Sequence, residues 1–136
     1  MSAVVKSTRA GYDTLSAQTC IKISELFSSG AFEELDAVYI DSDGKVKAAV
    51  DDSTKVLFDG FASRRSDSDM LGTPVTILGQ GLIMEWLQDS DKYSPGTPLY
   101  VGAANELETT GRVPVVLAIS NKEVIVISPP VRLGAA

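Results

Sequence analysis

The sequence predicts an all-β protein: a small β-barrel or β-sandwich built from two quasi-repeated β units, with extended N- and C-terminal arms. Three observations lead to this prediction. Short apolar runs of strand-forming residues recur, with turn residues about every 8–12 positions. No long window has the 3.6-residue apolar period of an amphipathic helix. Finally, one strand–turn–strand pattern occurs twice along the chain.

The repeated pattern is DAVYIDSDGKVKAAV in its first copy and GTPLYVGAANELETT in its second. Aligning Val38 with Leu99 gives an offset of 61 residues (99 − 38), and the same offset aligns Val46 with Leu107. Each copy predicts two short strands joined by a tight turn, and the Asp-Gly pair of the first copy is a strong hairpin signal. Further apolar runs follow each copy. The predicted quasi-repeats cover 36–78 and 96–128 within a single β domain at 19–128.

The segments outside the two copies complete the prediction. Residues 1–18 follow neither the helical nor the strand period, and we expect an extended N-terminal arm there. The alternating TCIKIS at 19–24 predicts the first strand, and 25–35 is predicted to hold a short helical turn. Alternation at 82–87 predicts a strand between the copies. Two consecutive prolines then end the last strand and begin a C-terminal arm at 129–136.

Charge and residue usage exclude several functional classes. With 18 acidic and 12 basic residues the net charge is −6, so phosphate backbones are repelled and we expect no nucleic-acid partner. The single cysteine, Cys20, excludes an internal disulfide. Histidine, the commonest general base and metal ligand, is absent. No apolar run has the length of a membrane span or of a signal peptide, so we expect synthesis in a cytoplasm and no membrane partner.

Two candidate motifs, for a calcium loop and for a dinucleotide-binding loop, do not have the residue spacing that those sites require. Asp41, Asp43 and Gly44 suggest a calcium loop, but an EF-hand loop places its glycine at the sixth position and a glutamate at the twelfth. Here the glycine is the fourth residue of the run. The Gly79-Gln80-Gly81 sequence lacks the third glycine and the following helix of a dinucleotide-binding loop. We therefore predict no catalytic residue, no metal site and no cofactor.

The second copy and its continuation form one series of apolar strands and turns. It reads Gly-Thr-Pro-Leu-Tyr-Val-Gly, a turn at Ala-Asn, Glu-Leu-Glu-Thr-Thr, then Val-Leu-Ala-Ile-Ser and a final Glu-Val-Ile-Val-Ile. This series resembles the small β proteins that decorate the heads of tailed phages. The first copy resembles them more loosely, through VYIDSDGKVKAA, DGFAS and TPVTIL. The chain departs from the family pattern by a longer segment before the first copy and by an insertion at 88–94.

The resemblance implies a capsid decoration, or cement, protein of the virion. Such a protein is made in the host cytoplasm, binds the outer surface of the major capsid protein shell and stabilises the expanded head. The resemblance also implies a homo-oligomer, either a dimer or a trimer. We expect the two arms to add strands to neighbouring subunits. The predicted partner-binding residues are Val4, Val5, Tyr12, Leu15, Pro129, Val131 and Leu133.

Two other functions stay open. A phage tail or baseplate protein is also small and rich in strands, and it would use the polar loop at 63–72 as a long mobile hairpin. A cytosolic β-barrel that binds a small ligand or a sugar would need inward polar and aromatic groups, and aromatic residues make up only 7% of the chain. An enzyme is the least favoured class, because histidine and any catalytic motif are missing.

Overall fold

The computed structural model confirms the all-β prediction. Among the described residues, every regular element except one short helix is a strand, and every strand ladder is antiparallel. The described strands form three sheets, none of which closes into a barrel by a continuous ladder. The structure describes residues 3–4, 6–52, 54–69, 71–87, 93–101, 107–120 and 122–134.

The elements are short, and most strands contain five residues or fewer. In chain order they are β1 (Ala3–Val4), β2 (Lys6–Tyr12), α1 (Thr14–Thr19), β3 (Lys22–Phe27), β4 (Ala37–Ile40), β5 (Val46–Ala48), β6 (Val50–Asp51), β7 (Val56–Phe58), β8 (Gly60–Ala62), β9 (Pro74–Leu78), β10 (Ile83–Leu87), β11 (Pro98–Val101), β12 (Leu107–Glu108), β13 (Pro114–Ala118), β14 (Glu123–Val126) and β15 (Val131–Leu133).

Helix α1 lies in the segment predicted as an extended arm, and this part of the prediction is corrected. Asp13 caps the helix, since its carboxylate accepts a hydrogen bond from the backbone N–H of Ser16 at 2.9 Å. Six residues are too few to show a helical period in the sequence. The helix ends at Thr19, and no helix in the described ranges is long and apolar enough to cross a membrane.

The first strand also differs from its prediction. It begins at Lys22, because α1 and the turn after it occupy the first residues of the predicted strand at 19–24. No helical turn is found within 25–35. Strand β3 continues instead to Phe27, and single bridges follow at Ser28 and Phe32. Glycine and serine in this stretch disfavour a helix, and pairing with β9 satisfies the backbone groups of β3 in an extended conformation.

Two groups of five strands have the same order in space. The first unit, made of β3, β4, β5, β8 and β9, has the order β3-β9-β8-β4-β5. The second unit, made of β10 to β14, has the equivalent order β10-β14-β13-β11-β12 within a seven-stranded sheet. The registers agree as well. Ile40 pairs with Val46 in the first unit, and Val101 pairs with Leu107 in the second, 61 residues later at both positions.

The edge strands of the two units have different neighbours. In the first unit, β3 and β5 meet at one parallel bridge between Ser28 and Val46. In the second unit the N-terminal segment adds a strand at each edge. Strand β1 pairs with β12, and β2, which begins one residue after Val5, pairs with β10. One short stretch of chain therefore spans both edges of the second unit.

A third sheet, with the order β15-β7-β6, contains the C-terminal strand β15. A single residue, Ala49, separates β5 from β6, and Asp59 likewise separates β7 from β8. Val131 of β15 pairs with Phe58 of β7. The C-terminal strand is thus held on the first unit.

One apolar core joins the two units. The indole N–H of Trp86 in β10 donates a hydrogen bond to the carbonyl of Leu35 at 2.9 Å, and both residues are fully buried. The rings of Phe58 and Phe61 meet edge to face at 5.5 Å in the same core. A smaller apolar cluster, which includes Val38 and Ile77, lies within the first unit.

Candidate interaction surface

The N-terminal arm lies along the protein's own sheet. Val4 pairs with β12 through its backbone, and Val5 lies outside the described residues. Tyr12 ends β2 with an exposed ring. Leu15 lies on the solvent side of α1 with 68% of its surface exposed. The arm therefore uses its backbone within the chain and presents apolar side chains at its end.

The C-terminal arm is also paired with its own chain, through β15 and β7. Val131 is buried in the core, so its side chain does not reach the surface in this structure. Leu133 is exposed on β15. Pro129 is exposed where the chain leaves β14. Of the predicted set in this arm, the structure leaves Pro129 and Leu133 available to a partner.

Arg132 holds the C-terminal arm in place, although the sequence analysis did not select it. Its two terminal nitrogens donate to the Asp59 carboxylate at 2.6 and 3.0 Å, which is a bidentate pair. The Asp59 side chain is 3% exposed and also accepts from the backbone N–H of Ile40 at 2.7 Å. Arg132 donates further to the carbonyls of Val131 and Ile40, and its guanidinium lies 6.0 Å from the ring of Tyr39. No sequence signal pairs residues this far apart in the chain.

Ile21 is a second surface residue that the sequence analysis missed. It lies between α1 and β3 and is 60% exposed, although it alternates with half-buried Ile23 in the predicted strand. Together with Pro129 and Pro130 it lines a cavity of about 40 Å³, which Ile23, Ile77 and Gly79 complete on the apolar side. The cavity brings the C-terminal arm against the segment that follows α1.

The turn at 79–83 organises this part of the surface. The carbonyl of Ile83 accepts from the N–H of Asp13 at 2.9 Å, and the carbonyl of Gln80 accepts from the N–H of Ile21 at 3.1 Å. The Gln80 side chain donates to the carbonyl of Ile127 at 3.1 Å. Three chain segments are therefore fixed around one turn. We call the exposed apolar residues that surround it the terminal patch: Tyr12, Leu15, Ile21, Pro129 and Pro130.

Asp41, considered above as a calcium ligand, organises the β4–β5 turn. Its carboxylate accepts from the backbone N–H groups of Asp43 and Lys45, both at 2.9 Å, and Lys47 lies 3.2 Å away. Burial opposes ionisation of this carboxyl, but the hydrogen bonds from Lys45, Asp43, Lys47 and Ser29 together lower the pKa of Asp41. Gly44 completes the turn at a φ of 75°. These contacts are those of a hairpin.

The polar loop at 63–72 is anchored in its middle. Ser66 is buried, pairs with Phe32 through its backbone, and donates through its hydroxyl to Ser28 at 2.8 Å. Ser28 also accepts from the N–H of Thr73 at 3.1 Å. The described part of this loop is thus tied to the first unit near its centre.

Asp51 in β6 is a half-buried carboxylate with incomplete pairing. Its Oδ1 lies 3.9 Å from Nε of Arg112, and its buried Oδ2 has no hydrogen-bond partner in the described structure. Burial raises the pKa of Asp51, while the charge of Arg112 and a hydrogen bond from its backbone oppose that rise and the charges of Glu108 and Asp52 add to it. The ionised form is therefore disfavoured in the folded protein.

We expect Asp51→Asn to increase the free energy of unfolding at pH 7 by about 1 kcal/mol, because the variant removes an incompletely paired, half-buried charge. A raised folded pKa means that the wild type gains stability as pH falls through that pKa toward 3.8, the ordinary value. The advantage of the variant should therefore shrink in urea denaturation at pH 4.5.

Asp52→Asn is a control for which we expect the opposite change in stability. Hydrogen bonds from the Thr54 side chain and from the backbone N–H groups of Thr54 and Lys55 lower the pKa of Asp52, so its ionised form supports the fold at neutral pH. We expect this variant to lose stability at pH 7 and to approach the wild type in acid. A less stable Asp51→Asn protein at pH 7 would contradict the prediction for Asp51.

The described residues contain no cluster of three or more cysteine, aspartate or glutamate side chains placed to hold a metal ion. Comparisons with protein-family models, with curated proteins and with solved structures give no match to this chain. The candidate surface therefore rests on the residues and contacts described above.

Proposed function

We propose that the protein is a capsid decoration protein that binds the outer surface of a major capsid protein shell and stabilises the expanded head of a tailed phage. The terminal patch is the observation that carries this proposal. Exposed large apolar side chains are costly to leave in water, and grouping them at one place is typical of an interaction site. The resemblance of the second copy to head decoration proteins supports the major capsid protein as the class of partner.

The structure of the terminal patch suits repeated binding on a shell. The hydrogen bonds around the turn at 79–83 hold Leu15 and Ile21 in place before any partner arrives, which reduces the entropy lost on binding. The patch alone provides a modest contact. A shell presents many equivalent sites, and a homo-oligomer that engages several of them gains affinity through multivalency.

Charge favours the outer surface of the shell. A net charge of −6 repels the packaged genome, so the protein gains nothing from a position inside the head. The proposed partners are the major capsid protein and further copies of the chain itself. The proposed location is the outside of the virion, after synthesis in the host cytoplasm.

We expect the double substitution Leu15→Ser and Ile21→Ser to weaken binding to expanded shells by about 100-fold or more, because each buried aliphatic side chain contributes about 1.5–3 kcal/mol. The measurement is co-sedimentation of the purified protein with expanded, empty heads of the cognate phage. Both side chains are exposed in the free protein, so the variant should unfold at nearly the same urea concentration as the wild type.

Leu71→Ser is the matched control, since Leu71 is also an exposed aliphatic residue but lies in the loop at 63–72. It should bind shells like the wild type. Equal binding by the double variant and the wild type would remove the terminal patch from the proposal. A wild-type protein that fails to sediment with expanded heads would overturn the proposed function itself.

The two alternatives have weaker support. A tail or baseplate protein would use 63–72 as a long mobile hairpin, and the hydrogen bonds of Ser66 hold the described part of that loop against the first unit. A ligand-binding module is favoured by an open groove of about 710 Å³ beside Tyr39. However, Lys47 and Arg132 in that groove already form ion pairs with Asp41 and Asp59. A ligand would have to compete with these ion pairs.

A further inference from the structure

The face of the first unit that points away from its apolar cluster carries an open groove of about 370 Å³. Strand β9 forms its floor, β3 forms one wall, and the segment after β8 forms the other. The bridge between Ser28 and Val46 joins the end of β3 to β5, so a partner reaches this region across the face of the sheet. We call it the outer groove, and its residues are Glu25, Phe27, Ser63, Arg64, Pro74 and Thr76.

A β-bulge places Glu25 on one wall of the outer groove. Two residues of β3, Ser24 and Glu25, lie opposite one residue of β9, Thr76. Glu25 has a φ of 63°, which is uncommon for a residue other than glycine. The backbone of Ser63 is held at the same level of the sheet, because its N–H donates to the carbonyl of Thr76 at 3.0 Å. Glu25 and the residue after Ser63, Arg64, therefore flank one place on β9.

Glu25 and Arg64 carry opposite charges on the two walls. Strand β9 lies between β3 and β8, so two strand spacings, about 10 Å, separate the backbones of the walls. Both residues are exposed, and among the described residues neither side chain forms an ion pair or a hydrogen bond. An acid and a base that line the same groove are thus both available to a partner.

We propose that the outer groove packs against the outer groove of a second copy of this chain, across a twofold axis that runs along β9. Such an axis places Glu25 of each copy opposite Arg64 of the other, so that two equivalent ion pairs form. A partner that was only acidic or only basic would pair with one wall and be repelled by the other. The groove is complementary in charge to itself, and this favours a second copy as the occupant.

Apolar side chains of the same groove add to this contact. Phe27 is 46% exposed, although the ammonium group of Lys45 lies 5.7 Å from the centre of its ring. Pro74, which is opposite Phe27 in the sheet, is exposed as well. Pairing of two grooves removes this apolar surface from water. With Lys45 and Arg64 beside Glu25, the groove carries no excess of negative charge, although each copy has a net charge of −6.

The outer groove and the terminal patch lie at opposite ends of β3. Ile21 of the terminal patch precedes the strand and Phe27 ends it, and six residues of strand span about 20 Å. A dimer formed through the outer groove therefore leaves both terminal patches exposed. Two patches on one dimer provide the multivalency that favours binding to a shell, but the dimer itself does not depend on the proposed function.

A charge-swap experiment on the full chain tests this pairing. Sedimentation velocity over a range of concentrations, without shells, should show that the wild type forms a dimer. We expect Glu25→Arg and Arg64→Glu each to raise the dissociation constant about tenfold, because each variant places two like-charged pairs across the axis. The double variant Glu25→Arg with Arg64→Glu restores opposite charges at both places and should recover the dimer.

Two further variants separate pairing from folding. Glu25→Gly removes the charge, and glycine adopts a φ of 63° without strain, so this variant should unfold at the same or a higher urea concentration than the wild type and still dimerise more weakly. Lys122→Glu makes the same change of charge as Arg64→Glu, but at an exposed residue of the second unit. It should leave the dimer unchanged.

A wild-type protein that stays monomeric at high concentration would overturn the proposal. So would a dimer that is indifferent to both single charge reversals, or one that the double variant does not restore. A dimer that Leu15→Ser with Ile21→Ser dissociates while Glu25→Arg does not would assign the contact between copies to the terminal patch, and this too would overturn the proposal. Because dimerisation is measured without shells, its failure leaves the proposed shell binding to be judged by its own experiment.

Discussion

Replacing Trp86 with alanine is expected to lower the free energy of unfolding by about 4 kcal/mol. The side chain is fully buried between the two units, and truncating a buried tryptophan leaves a large cavity. The substitution also removes the hydrogen bond from the indole N–H to the carbonyl of Leu35, which would remain buried. A loss of this size is a large fraction of the stability of an ordinary domain.

Urea denaturation followed by far-ultraviolet circular dichroism measures this effect, since Trp86 is the single tryptophan and its fluorescence is lost in the variant. Trp86→Phe provides a comparison that is expected to fold. It keeps an aromatic ring in the core but loses the indole N–H, and we expect a loss of about 2 kcal/mol. Equal stability of the phenylalanine variant and the wild type would show that the hydrogen bond to Leu35 contributes nothing.

Replacing Arg132 with alanine is expected to lower the free energy of unfolding by about 2–3 kcal/mol. Among the described residues, the substitution leaves the Asp59 carboxylate, which is 3% exposed, with the N–H of Ile40 as its remaining hydrogen-bond donor. Removing one partner of a buried ion pair costs about 3–5 kcal/mol, and the 43% exposure of the Arg132 side chain reduces that figure. The C-terminal strand β15 should also lose protection from hydrogen exchange.

Arg65→Ala is the matched control, because Arg65 pairs with Asp67 at 2.8 Å where both side chains are exposed. Exposed pairs contribute about 0–1 kcal/mol, so this variant should resemble the wild type. Arg132→Lys keeps the charge but loses the bidentate geometry, and it should lie between alanine and the wild type. If Arg132→Ala and Arg65→Ala were equally stable, the anchoring role of Arg132 would be wrong.

The local sequence pattern was most informative within the hairpins. The offset of 61 residues that aligns Val46 with Leu107 is also the offset between their paired positions in the two sheets. Asp-Gly between apolar runs predicted the β4–β5 turn, and Asp41 and Gly44 form it. Such features depend on neighbours a few residues apart, so the pattern alone reveals them.

The ends of the chain show where the pattern stops being informative. The first eighteen residues were expected to extend away from the body, yet β1, β2 and α1 return to the second unit and to its turn at 79–83. Pairing of β2 with β10 joins residues more than seventy positions apart. A strand without a clear period carries no sign of which edge it will cover. For the same reason Ile21 was not expected at the surface.

The candidate surface was predicted in part. Tyr12, Leu15 and Pro129 were selected from the sequence, and all three are exposed in the structure. Val131 was selected on the same grounds, but its place opposite Phe58 buries it. An apolar residue in the sequence is equally compatible with a place in the core and with a place at a binding surface. Which of the two it occupies depends on the residues that it packs against in the folded protein.

The sequence by itself determined the class of the fold, the hairpins and the repetition of one pattern, because strand period and turn residues act over short distances. Only the tertiary structure decided how the edges are used. It covers β10 with β2, anchors β15 through Arg132 and Asp59, and joins the end of β3 to β5 through the bridge between Ser28 and Val46. Edge pairing and ion pairing join groups that are distant in the chain, and their free energy depends on the geometry of the folded body.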